Sequence, residues 1–270
     1  MLFGKKLSPL EKEWNSLLRK EAALARAAGK SNSRWREELE SKVPAKVLSG
    51  LQISFSKGFQ LVFSHSTKIL EKTYDPDALR NRHTASDQEV MSDDSRKNLR
   101  QITVNSQAAQ LTNMAITTVE GMGLGALGIG MPDIVLFLAM LLKGIYETAL
   151  NYGYDYESPG ERLLILKMME ASLAKGSDWY RCNREVEKMM ATPVVPDKDV
   201  LQEQIHSTGQ EFAVDMLLVK FIQGLPLVGI VGGAANPVYY NKVMQYVQLK
   251  YRKRYLQSVA RRKGIVLKNR

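Results

Sequence analysis

A single cysteine, Cys182, in 270 residues has no partner for an internal disulfide. That excludes a disulfide-stapled scaffold and points to a reducing compartment with an idle thiol. Histidine is nearly as scarce. His65, His83 and His206 lie far apart without an HxxH or CxxC companion, so neither a metal centre nor a cofactor is expected. There is no Walker A sequence and no GxSxG elbow. No stretch alternates apolar and polar residues with the period of a strand, which leaves β-structure no clear place. Acidic residues stop at Asp215: residues 216–270 hold eleven Lys or Arg and no Asp or Glu. Removing those 11 from the 38 basic residues leaves 27 against 28 acidic ones in residues 1–215, so the net charge of +10 belongs to the C-terminal part. Lys5 and Lys6 are not followed by an apolar run, so no secretory signal is expected and a cytoplasmic location follows.

What remains is the composition of a globular chain, with 44% hydrophobic and 24% charged residues. Its punctuation is that of helices. Ser8-Pro9-Leu10-Glu11 and Ser158-Pro159-Gly160-Glu161 are capping boxes with proline at the first helical position. Leu10, Trp14, Leu17 and Leu18 recur at helical spacing, as do Leu51, Phe55, Phe59 and Val62. Further helices are expected at 33–40, 95–120, 132–149, 158–176, 178–190, 197–223 and from Pro237 onward. Residues 75–97, rich in Asp, Ser, Asn and Arg, read as a polar connection with at most a short helix near 76–82. The fold class is all-α, a multi-helix bundle with two Gly/Pro-interrupted apolar segments.

The first of those segments carries Gly121, Gly123, Gly125, Gly128, Gly130 and Pro132; the second carries Gly229, Gly232 and Gly233. Gly123, Gly125 and Gly128 satisfy GxGxxG, but no strand precedes them and no βαβ repeat surrounds them, so a dinucleotide site is excluded. These glycines are expected to let backbones pack closely or to face a membrane. Broken apolar stretches suit interfacial or re-entrant insertion better than clean spans.

Asp133 follows Pro132 at the start of an apolar helix, where the helix dipole favours a negative charge. Tyr152, Tyr154 and Asp155 lie beyond that helix around Gly153, and Glu161 and Arg162 open the next one. With Asn236 these form the candidate functional polar set. On the terminal helix, a turn of 100° per residue places Lys250, Lys253, Arg254 and Arg261 on one side. Met244, Val247, Tyr251, Tyr255 and Val259 fall on another. The basic row is a candidate for binding lipid headgroups, and a solvated face is the alternative.

Two segments resemble the EcsC family of bacterial proteins. One runs from the spaced glycines 123–130 through Pro132-Asp133-Ile134, Lys143 and Ile145 to Tyr152-Gly153-Tyr154-Asp155 and Glu161-Arg162. The other runs from Pro226 through Gly229, Gly232 and Gly233 to Asn236. Leu39 to Lys46 is similar to the family's N-terminal part. Similar proteins often carry Leu-Arg where this chain has Leu142-Lys143. From the capping box at Ser8 and the helical spacing after it, residues 1–30 are expected to form an N-terminal helix. Residues 31–262 would be the EcsC-like helical domain, with the polar connection at 75–97, and 263–270 the end of the basic tail. The resemblance implies a helical, membrane-associated protein of no settled activity, linked by the family's name to an ABC transporter.

The expected function is therefore that of a peripheral membrane protein at the cytoplasmic face, accessory to a membrane transport system and touching an anionic membrane surface and a membrane-protein partner. Nucleic acid is a weaker partner, because the tail lacks a recognition motif. A soluble helical adaptor is the alternative. A hydrolase using Asp133 and Glu161 needs both carboxylates within reach of one proton.

Overall fold

The computed structural model describes residues 7–29, 43–63, 70–116, 133–222 and 235–268. Within them the chain forms nine helices and no strand: α1 (Pro9–Gly29), α2 (Ala45–Leu61), α3 (Pro76–Ser92), α4 (Arg96–Ile116), α5 (Asp133–Asn151), α6 (Pro159–Leu173), α7 (Gly176–Ala191), α8 (Lys198–Ile222) and α9 (Ala235–Arg262). The all-α expectation holds. The helix expected at 33–40, the continuation of α2 through 64–69 and both glycine-rich segments lie outside the described residues.

Local chemistry sets the helix ends. Ser8 N–H donates to Glu11 Oε2 (2.8 Å) and Glu11 N–H to Ser8 Oγ (3.2 Å), a closed capping box. Gly153, at φ +81°, terminates α5 in the left-handed region, and Tyr154 N–H reaches back to Ala149 O at 2.9 Å. Residues 75–97 are not an open connection. Asp75 caps the N-terminus through Ala78 N–H (2.9 Å), Pro76 occupies the first turn, and α3 runs for 17 residues. It is nearly invisible to periodicity because it buries only Leu79, Ser86 and Val90. Helix α1 packs against α4, α7 and α9.

The pairings fix helix directions. Ser106 Oγ donates to Thr148 Oγ1 (3.5 Å) and Tyr152 OH to Thr103 Oγ1 (3.3 Å), so α4 is antiparallel to α5. Gly144 faces Tyr240 and Met244, while Tyr152 faces Tyr251 and Tyr255; α9 is therefore parallel to α5. Gln204 bonds Glu170, and Asp215 pairs with both Lys175 and Lys242, which sets α8 parallel to α6. Glu161, at the start of α6, meets Arg254 late in α9, so α6 and α8 both oppose α9. One consequence matters for function. The ends at Ile116, Asp133, Ile222 and Ala235 share one pole of the bundle, so both glycine-rich segments are tethered there.

The core at that half is aromatic. Phe212 lies 5.7 Å from Phe55, 5.4 Å from Phe59 and 6.4 Å from Phe137, ring centre to ring centre. Helices α2 and α8 meet closely beside it at Gly209, where an added Cβ would sit 2.9 Å from Ser56 N and 3.1 Å from its Cα. Backbone cannot swing aside as a side chain does. Gly209→Ala is therefore expected to lower stability by about 1–3 kcal/mol through overpacking. An unchanged thermal midpoint would show that the two helices do not approach this closely.

Candidate functional site

Tyr152, Tyr154 and Glu161 meet at the turn between α5 and α6, and α9 supplies their partners. Glu161 N–H donates to Ser158 Oγ (3.3 Å), which is half of the expected capping box. The other half is not made. The Glu161 carboxylate instead accepts from Tyr251 OH (2.8 Å) and, with both oxygens, from Arg254 Nη1 (2.8 Å each). The Arg254 guanidinium also lies 3.9 Å from the centre of the Tyr154 ring. Burial works against its charge, but the Glu161 carboxylate outweighs that and raises its pKa. Burial pushes Tyr154 up to about 12 and Tyr251 well above its ordinary range, so both phenols stay protonated.

Three further carboxylate clusters extend along α9. Lys250, with a side chain 0% exposed, is 2.5 Å from both Glu21 and Glu187, and Lys253 is 2.8 Å from the same two residues. Glu13, 1% exposed, accepts from three arginines: Arg96 Nε (2.7 Å), Arg100 Nε (2.9 Å) and Arg252 Nη2. Nearer the helix end, Asp87 takes Tyr255 OH (2.9 Å) and both Nη atoms of Arg262 (2.7 Å each). A second tyrosine group stands deeper against α5. Tyr156 donates to Glu71 (2.6 Å), accepts from Tyr74 (3.0 Å) and stacks on Tyr146 at 4.2 Å. There Lys143 pairs with Glu147 at 2.5 Å, and its ammonium lies 5.6 Å from the Tyr74 ring centre.

This corrects the expected headgroup-binding row. Lys250, Lys253 and Arg254 point into the protein and are held by carboxylates of α1, α6 and α7; of the four, only Arg261 is exposed. A helical wheel separates charged from apolar residues, but it does not say whether the charged side meets water or carboxylates. Helix α9 is buried nearly all round.

The acid–base pair is corrected as well. Asp133 opens α5 and Glu161 lies past its other end, so about 27 Å of helix separates them at 1.5 Å per residue. Glu161 is moreover 6% exposed, with both oxygens committed to Arg254. Shuttling a proton to a substrate requires a reachable lone pair, and this carboxylate offers none. Of the remaining candidates, Asp155 is exposed and closes the turn by accepting Glu157 N–H (3.1 Å). Arg162 is half-buried, and its Nε–H has no partner among the described residues. Asn236 stands in the first turn of α9. Cys182 is buried and pushed up to about 11, mainly by burial, so its thiol is inert. Among the described residues no group of three or more His, Cys, Asp or Glu side chains is placed to hold a metal ion.

Sequence spacing does not point to Glu13, Glu21, Glu187, Asp87 or Arg252. The one signal for them is the charge asymmetry itself. Eleven cations with no acid among residues 216–270 must find carboxylates elsewhere in the chain or stay in water.

The fold and these clusters define the class: an all-helical protein whose long terminal helix is clamped by buried carboxylates. The model of the EcsC protein family matches residues 10–256, and the chain belongs to that family. Helix α1 falls almost wholly inside the matched stretch. No curated protein and no solved structure gives a match.

Proposed function

We propose that the protein is a peripheral membrane-docking protein that seats the pole carrying its two glycine-rich segments against the cytoplasmic leaflet. There it serves as an accessory to a membrane transport system. The observation that supports this most is the convergence of four helix ends, at Ile116, Asp133, Ile222 and Ala235, on one pole. The two most apolar, glycine-broken stretches of the sequence are joined to those ends. Among the described residues no helix is long and apolar enough to cross a membrane.

The expected row of Lys250, Lys253, Arg254 and Arg261 does not supply the grip. Lys250, Lys253 and Arg254 are already neutralised, and Arg261 lies about 40 Å along α9 from its N-terminal end. An anionic leaflet is still the proposed surface, but contact with it rests on apolar burial and is weakly sensitive to salt.

Flotation of the full chain with phosphatidylcholine vesicles, with and without phosphatidylserine, tests this. Retention is expected to change little between ~0.1 and ~1 M salt, across which screening would dissolve a purely ionic attachment. Leu127→Asp combined with Val228→Asp is expected to abolish it, since each acid costs roughly 2–3 kcal/mol in hydrocarbon. No retention on either vesicle sinks the proposal, as does retention that the two substitutions leave intact.

A helical adaptor is the second reading. It is favoured by the turn between α7 and α8, where Val194 and Val195 are 48% and 83% exposed. Absence of vesicle retention together with detergent-free recovery of a monomer supports that reading instead.

A further inference from the structure

Three arginines converge on one carboxylate at the seam of α1, α4 and α9. Arg96 and Arg100, one turn apart on α4, both donate through Nε to Glu13 Oε1, at 2.7 and 2.9 Å. Arg252 donates through Nη2 to Glu13 Oε2. Glu13 supplies one negative charge against three positive ones, leaving a local excess of two. Donors are in excess too, because guanidiniums carry far more N–H groups than one carboxylate has lone pairs.

That excess is not used up elsewhere among the described residues. Arg252 is 7% exposed, and its Nε–H is buried without an acceptor. Arg96 and Arg100 have side chains 45% and 52% exposed, and among the described residues they form hydrogen bonds and ion pairs with Glu13 alone. Asp93, just before α4, turns its carboxylate to Ser95 N–H (3.1 Å) and Asn98 Nδ2 (3.3 Å). Neutralising a buried Glu13 needs one guanidinium, and Arg252 already provides it. Arg96 and Arg100 bond Glu13 through Nε, which leaves their Nη groups for a second acceptor. Paired guanidinium forks suit a tetrahedral oxyanion better than they suit water.

We propose that Arg96 and Arg100, pre-aligned by Glu13, bind a phosphate group of the monoester type. The site lies about 24 Å along α4 from the end at Ile116, and so away from the pole assigned to lipid. The phosphate is accordingly carried by a soluble ligand rather than by a headgroup. The phosphate site itself stands on the arginine cluster alone, whereas its assignment to a soluble ligand rests on the membrane reading.

Inorganic phosphate is the probe. Thermal unfolding of the full chain, with ionic strength held constant by sodium chloride, is expected to show a saturable rise of the midpoint with phosphate. Isothermal titration gives the affinity. Arg96→Gln with Arg100→Gln is expected to weaken binding at least about tenfold, from loss of charge-assisted bonds. Both positions are half exposed, and the single variants Arg96→Gln and Arg100→Gln cover the case in which the double variant does not fold. Arg181→Gln, which removes an exposed charge paired with Glu185 on α7, is expected to bind as the wild type does.

Phosphate acting no better than chloride overturns the proposal, and so does undiminished binding by the Arg96 and Arg100 variants. Vesicles containing phosphatidic acid separate the two sources of phosphate. Unaltered retention by the double variant supports a soluble ligand, whereas loss of retention overturns that assignment in favour of a headgroup.

Discussion

Glu13→Gln is expected to destabilise the protein by about 3–5 kcal/mol, the usual cost of breaking a buried ion pair by removing one partner. The substitution preserves shape and deletes only the charge. It leaves Arg252, 7% exposed, beside an amide with one acceptor oxygen where a carboxylate had two. For a chain of this size that loss is a fall in Tm of roughly 10 °C. The arginines on α4 provide the contrast. Arg96→Gln or Arg100→Gln removes a half-exposed partner of the same carboxylate and is expected to cost less than about 1 kcal/mol. Chemical denaturation of the three variants measures this asymmetry. Equal small losses in all three would show that Glu13 is hydrated and that the clamp on α9 has been misplaced.

Acid is expected to loosen the same helix through Glu21. Burial alone would raise this carboxyl, but Lys250 and then Lys253 outweigh it and hold it at about 2, against 4.5 in the free chain. Between those values the unfolded state binds a proton that the folded state refuses. The stabilisation is therefore complete above pH 4.5 and is lost as pH falls through 2. It amounts to about 2 kcal/mol once solvent screening is allowed for. Asp87, held low by Arg262, and Glu185, lowered by Lys167 against its own burial, act in the same direction. Thermal unfolding of the wild type across this window should fall more steeply than that of Glu21→Gln, whose melting has lost one titrating group. Parallel curves for the two proteins would remove Glu21 from the account.

These expectations concern residues that sequence spacing leaves unmarked. Capping chemistry is short-range, and it is legible. Ser8 with Glu11, Asp75 with Pro76 and Gly153 at its positive φ each act within five residues, so the helix ends they set can be read directly. Periodicity is legible where a helix is half buried, as α1 is through Leu10, Trp14 and Leu17. It loses its meaning at both extremes. Helix α3 buries too little to leave a pattern, and α9 buries too much. The cluster of Tyr152, Tyr154 and Glu161 was within reach because those residues lie within ten positions of one another. Arg254, which completes it, comes 93 residues after Glu161.

Composition and local pattern alone determined that this chain is helical, where most of its helices begin and end, and that it has no disulfide framework. Those properties follow from forces acting within a turn or two of the backbone. Only the tertiary structure decided what becomes of the C-terminal charge. Whether a lysine faces water, lipid or a glutamate depends on which distant helix lies opposite. For Lys250 that helix is α1, more than two hundred residues earlier in the chain.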